Sequence, residues 1–163
     1  MHLYFLRHGI AEDRRPGLRD ADRCLTPEGR DEMQAVAAGL IALDVQVDAI
    51  FSSPYPRALE TAQIVAKALG SHPDKVHRAA QLEAGAFRLE GLRSLLAAQP
   101  RSARILLVGH EPDFSMVVGQ LVGGAALDLK KAGLARVETT RLEPGGGVLR
   151  WLLTPQHLRS QRL

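Results

Sequence analysis

Strand and helix signals alternate along this chain, and that alternation confines it to a short list of folds. Apolar runs over residues 2–6, 47–51 and 104–108, with a weaker one over 76–80, read as strands. Each is followed by apolar residues at helical spacing, over 27–43, 57–69, 89–98 and 113–121. Such an order calls for parallel strands joined by helical crossovers, because a tight turn cannot close a parallel pair. The expected fold class is therefore α/β: a three-layer α/β/α sandwich with a mostly parallel central sheet. Local signals agree with it. Thr26 reads as a helix N-cap with Pro27 in the first helical position, and Gly70 closes the second helix. After residue 121 the alternation stops. Residues 135–142 and 148–153 read as strands on either side of Glu143-Pro144-Gly145-Gly146-Gly147, a hairpin or a looser strand pair.

A length of 163 residues suits a single domain over 1–163, and a hydrophobic content of 45% supplies a core without disulfides or structural metal. The lone Cys24 cannot form an internal disulfide, and no paired Cys/His spacing suggests zinc. No metal and no cofactor is expected. The net charge of +3 is not concentrated in one tract and aromatics are only 4%, which argues against a nucleic-acid surface. No apolar stretch approaches a membrane span, and no basic lead followed by a long apolar segment opens the chain. A cytoplasmic protein that binds neither nucleic acid nor membrane is the expectation.

The chemistry gathers at the strand ends. The first strand runs into Arg7-His8-Gly9, the run before residue 109 into Gly109-His110-Glu111-Pro112, and the second strand into a segment from Ser52 to Ala62 that holds Arg57. In open α/β sheets, ligands collect beyond the carboxyl ends of strands. Two arginines and two histidines on three such ends describe one pocket for an anion, with a nucleophile inside it. Phosphoryl transfer without a metal needs fixed cations and donors around the phosphoryl oxygens. The planar forks of Arg7 and Arg57 suit that task, with His110 as a third donor. His8 has the position and type of a nucleophile, kept neutral by the neighbouring arginines, and Gly9 lets backbone approach the phosphate.

These residues resemble the signatures of the histidine phosphatase (phosphoglycerate mutase-like) superfamily. Arg7-His8-Gly9 is similar to its first motif, Ser52-Ser53-Pro54…Arg57-Ala58…Glu60-Thr61-Ala62 to its second, and Gly109-His110 to its third. The likeness runs from Leu3 to about Leu121. A narrower resemblance, to the short bacterial phosphohistidine phosphatases of SixA type, rests on Leu25-Thr26-Pro27-Glu28-Gly29, on the ending Trp151…Pro155…Leu158 and on the lack of an inserted cap domain. The resemblance implies a phosphohistidine intermediate on His8, phosphate held by Arg7, Arg57 and His110, and no metal. It also places Glu83 where much of the superfamily carries a carboxylate general acid. An alkoxide leaves poorly without a proton, whereas the imidazole of a phosphohistidine leaves far more easily. Glu83 is therefore either the acid or a residue that orients an arginine or a water.

The leading expectation is an enzyme that removes phosphate from histidine on a protein, such as a phosphotransfer domain. A small-molecule phosphomonoesterase is the alternative among enzymes, and a phosphate- or phosphoprotein-binding module without turnover the alternative outside them. Blander roles suit other residues. His2, His72, His77 and His157 read as surface, Ser52 and Ser53 as loop residues with a phosphate-facing hydroxyl as the minor alternative, and Glu60 as either a solvated helix residue or a partner for Arg57. The arginines of the 11–24 loop read as solvated or as a rim to the pocket, and Trp151 as core or hairpin packing.

Overall fold

A computed structural model of the chain, described over residues 1–161, holds one six-stranded sheet. Its strands are β1 (His2–Arg7), β2 (Ala49–Ser52), β3 (His77–Arg78), β4 (Arg104–Gly109), β5 (Leu134–Thr139) and β6 (Gly147–Leu153). The helices are α1 (Pro27–Ala42), α2 (Pro56–Ala68), α3 (Leu89–Leu96), α4 (Asp113–Leu121) and α5 (Pro155–Arg159). The spatial order is β3-β2-β4-β1-β5-β6. The pairs β3–β2, β2–β4 and β4–β1 are parallel, while β5 lies antiparallel to both β1 and β6. The sheet is mostly parallel, as the alternation implied.

Side-chain alternation explains the three layers. Leu3, Phe5, Phe51, Ile105 and Leu107 face a core completed by Leu92 and Leu96 of α3 and by Phe114, Val117 and Leu121 of α4. Tyr4, Leu6, Ile50, Leu106 and Val108 face the opposite way, onto Met33, Val36 and Leu40 of α1, Ala62 and Val65 of α2, and Leu158 of α5. Both faces of the central strands are thus apolar, as parallel strands covered by helices require. The α1 start matches its signal: the Thr26 hydroxyl accepts from the Gly29 N–H at 3.0 Å, with Pro27 in the first turn.

The sequence reading erred at the margins. The strand expected over 76–80 shrinks to an exposed two-residue edge, His77 and Arg78, in register with Phe51 and Ser52. The strand expected to reach 142 stops at Thr139, whose hydroxyl turns to the chain at Arg141 and Gly146. The final helix α5 was not anticipated, although Thr154 and His157 cap each other reciprocally around Pro155. Among the described residues no cap domain is inserted between the strands, and no helix is long and apolar enough to cross a membrane.

Candidate active site

Strand register builds the site. Arg7 pairs with Gly109 across β1–β4 and Ser52 with Val108 across β2–β4, so these three strands end side by side. The ladder runs one step further: the His8 N–H donates to the Gly109 carbonyl at 3.1 Å, and the Ser53 N–H to the Val108 carbonyl at 2.9 Å. His8, Ser53 and His110 are therefore delivered by backbone pairing. Arg57 joins them from the first turn of α2.

His8 is 6% exposed, and its ring makes two definite contacts. Nδ1 lies 2.8 Å from the Gly9 carbonyl, which can only accept, so Nδ1 carries the hydrogen. Nε2 accepts from the Arg57 Nε–H at 3.3 Å, which leaves its lone pair on the side of the arginine. Burial pushes the imidazole pKa down to about 3, with Arg57, Arg7 and Arg23 adding to the shift, so the ring is neutral at physiological pH. The ring is neutral, with burial rather than the arginines as the main cause.

His110 is 2% exposed, its ring 5.1 Å from that of His8. Its Nε2 lies 2.8 Å from the Ser53 hydroxyl, which also accepts from the Tyr55 N–H at 3.3 Å. Ser53 is wholly buried, so its own hydrogen needs an acceptor, and Nε2 is the one in reach. That places the ring proton on Nδ1, a buried atom without a partner among the described residues. Here too burial, then the charges of the neighbouring site, lowers the pKa to about 3.

Arg7 leaves a second buried donor idle. Its Nη1 donates to the Leu129 carbonyl at 2.9 Å, while Nε has no partner among the described residues. The segment after α4 clamps this strand end: the Arg7 N–H donates to the Gly133 carbonyl, and the Ala132 N–H to the His8 carbonyl. Arg57, 3% exposed, is held by one contact at each of its three nitrogens, which leaves one N–H on each Nη. Besides His8 it donates from Nη1 to the Asp20 carbonyl and from Nη2 to the Asp20 carboxylate at 2.8 Å. The other Asp20 oxygen takes Nη1 of Arg23 at 2.7 Å. Burial pushes the Asp20 carboxyl up, but hydrogen bonds from Arg23 and Arg57 hold it down, at about 2.

Several sequence expectations shift. Gly9 does not present a free N–H, since that group donates to the Thr61 hydroxyl at 3.2 Å. Its missing Cβ makes room for α1 instead, because a Cβ there would stand 2.8 Å from Met33 Cγ. Glu60 pairs with Arg30, not Arg57. Glu83 follows the turn over Ala80–Leu82, is partly exposed, and hydrogen-bonds through its carboxylate to none of the described residues. Its loop is nonetheless tied to the site's neighbourhood, for the Asp113 carboxylate accepts from the N–H groups of Gly85 and Phe87 and pairs with Arg88. The sequence reading gives Arg23 as solvated or as a rim to the pocket and Ser53 chiefly as a loop residue, and it assigns Asp20 no role. A second carboxylate also emerges: Glu111 caps Ser115 of α4, and burial raises its pKa while the charge of Arg7 works the other way.

The arrangement offers a neutral imidazole whose Nε2 lone pair is held only by the Arg57 Nε–H, with two further buried donors unpartnered among the described residues. It suits a tetrahedral oxyanion. Among the described residues no cluster of three or more His, Cys, Asp or Glu side chains could hold a metal ion.

The chain is similar to several known proteins. The family model described as histidine phosphatase superfamily (branch 1) matches residues 3–94. An uncharacterised protein of Picosynechococcus is 42% identical over 141 residues, covering 82% of each chain. The phosphohistidine phosphatase SixA of Escherichia coli is 26% identical over 163 residues, with 99% of each chain covered. The solved structure of a protein histidine phosphatase SixA complexed with tungstate superposes with a TM-score of 0.84 at 25% identity, covering 97% of this chain and 99% of that one.

Proposed function

This chain belongs to the histidine phosphatase superfamily, branch 1, and from that premise we propose that it is a phosphohistidine phosphatase acting on a protein through a phosphohistidine formed on His8. The observation that carries the reading is the pair of contacts on His8: Nδ1–H on the Gly9 carbonyl, and an unprotonated Nε2 whose lone pair accepts from the Arg57 Nε–H at 3.3 Å. In the first step the Nε2 lone pair forms the P–N bond in line as the bond to the leaving imidazole breaks. That imidazole keeps the electron pair and takes a proton from solvent, which the second step returns. In the second step a water oxygen attacks phosphorus, the P–Nε2 bond breaks, inorganic phosphate departs, and the water proton passes to solvent. Arg7 Nε–H and His110 Nδ1–H are the donors we assign to the phosphoryl oxygens, in addition to Arg57. Tungstate, held by the SixA structure, is a tetrahedral oxyanion of the same kind.

The substrate class rests on two supports. SixA proteins share the fold over nearly the full chain, and the segment between β3 and β4 carries α3 but no lid. An uncovered site suits a phosphorylated side chain that protrudes from a partner such as a phosphotransfer domain. Glu111 favours the second reading, a small-molecule phosphomonoesterase. A carboxyl whose pKa is raised by burial keeps its proton more readily, and an alkoxide leaving group needs that proton. A panel decides between them: loss of phosphate from a phosphohistidine phosphotransfer protein against small phosphomonoesters, with His8→Ala as control in each. Faster, His8-dependent loss from histidine supports the first reading. Preference for monoesters moves the assignment to the second, and bound phosphate with no turnover of either to a binding module.

A further inference from the structure

Arg57 is a buried cation, and its one carboxylate partner comes from a loop that would otherwise be solvent-facing. The Arg57 side chain is 3% exposed and the Asp20 side chain 36%. Asp20 grips the guanidinium twice, through its backbone carbonyl on Nη1 and its carboxylate on Nη2. Two fixed contacts on a planar group set both its position and the direction of its third donor. That donor, Nε–H, points at His8 Nε2. The same carboxylate also holds Arg23, whose Nε reaches the Glu12 carbonyl and whose side chain is only 12% exposed.

We propose that Asp20 is a positioning residue for phosphoryl transfer: it locks the Arg57 guanidinium with Nε aimed at His8 Nε2 and holds Arg23 beside it. The proposal rests on the phosphatase reading above. It gives the 11–24 loop a task that a solvated arginine-rich stretch lacks. It also changes the picture of Arg57, whose Nη groups each give one N–H to the loop while Nε–H rests on the Nε2 lone pair, placed to pass to a phosphoryl oxygen when that lone pair attacks phosphorus. Misplacing a charged donor by about 1 Å costs on the order of a hundredfold in rate. A buried guanidinium without its carboxylate also has reason to swing toward water.

An opposite role is conceivable for the same contacts. Asp20 could act as an internal anion that phosphate must displace from Arg57, and the two roles predict opposite signs. The experiment is a double-mutant cycle of Asp20→Ala and Arg57→Ala, with Asp20→Asn alongside. It reads kcat and KM on a phosphohistidine protein, the inhibition constant of inorganic phosphate, and the thermal midpoint. Positioning predicts that Asp20→Ala lowers kcat/KM by about 10- to 100-fold and weakens phosphate. It also predicts less than about a threefold further loss in the Arg57→Ala background, because the two residues act as one unit. Asp20→Asn, which keeps an acceptor for Nη2, recovers part of kcat and answers for any folding defect in the alanine variant. Phosphate that binds more tightly in Asp20→Ala overturns the proposal in favour of the displaced anion, and an undiminished loss in the Arg57→Ala background overturns it as well. Turnover that survives His8→Ala instead strikes at the phosphatase mechanism. In that case the phosphate affinities alone still decide whether Asp20 and Arg57 are coupled.

Discussion

The Ser53 hydroxyl stands 2.8 Å from Nε2 of His110, and the opposite ring nitrogen is buried with no partner among the described residues. One hydrogen bond on the far side of the ring thereby sets which nitrogen presents a hydrogen to the site. Ser53→Ala removes that orientation without touching His8. We expect kcat/KM to fall by about tenfold, the order of one neutral hydrogen bond. Nitrogen NMR of labelled His110 should show the Nδ1–H tautomer in the wild type and a mixture in the variant. An unchanged tautomer and rate would remove Ser53 from the site.

Acid should weaken the fold earlier than carboxylate titration alone dictates. His8 and His110 have folded pKa values of about 3, against about 6.5 in an unfolded chain. The unfolded chain therefore binds more protons as pH drops, and stability falls from about pH 6.5 downward until the folded values are reached. Each histidine adds up to about 1.4 kcal/mol per pH unit inside that window. Glu111, whose folded pKa is raised, acts the other way from its ordinary carboxylate value upward, and the depressed Asp20 adds to the loss only below the ordinary aspartate range. Urea unfolding at pH 7.5 and 5.5 should show the loss, and His110→Gln should reduce it.

Gly109→Ala should disturb the site from behind. A Cβ there would sit 2.7 Å from Cζ of Phe114, a ring held edge-on by Phe5 at 5.4 Å and by Phe87 at 5.5 Å. Overpacking of this kind costs about 1–3 kcal/mol. The denaturation midpoint should drop, and combining the change with Phe114→Leu should restore part of it. A neutral Gly109→Ala variant would mean that the ring yields freely.

Glu83 and Glu111 are separated by their leaving groups. Glu83→Gln should cost little on a phosphohistidine substrate, where imidazole departs readily. On a phosphomonoester the loss of a true general acid should reach about a hundredfold or more. Whichever glutamate shows that contrast in its Gln variant is the acid for alkoxides, and absence of contrast in both leaves leaving-group protonation to solvent.

Which parts of this site could be read in the sequence follows from what depends on local order. Arg7, His8, Arg57 and His110 stand at strand ends or in the first turn after one, so recognising apolar runs was enough to bring them together. Helix α1 was equally legible, since Thr26 and Pro27 carry its start. Asp20 was not, because its link to Arg57 spans 37 residues and depends on how a loop folds back. Glu60 carried the same ambiguity, and the structure gives it to Arg30. Ser53 stood inside the second motif, but its contact with His110 depends on the β2–β4 register, which no composition reveals. The Thr154-Pro155 start of α5 was a readable capping signal that the short length of the helix obscured.

The central claim is that phosphate passes through Nε2 of His8. The most direct measurement is to react the protein with a phosphohistidine phosphotransfer domain, quench within the first turnover, and locate the transferred phosphate by mass spectrometry and phosphorus NMR. The account predicts an acid-labile, alkali-stable phosphate on His8 at Nε2, absent from His8→Ala along with turnover. Phosphate release at the wild-type rate from His8→Ala, or a label on any other residue, would contradict it.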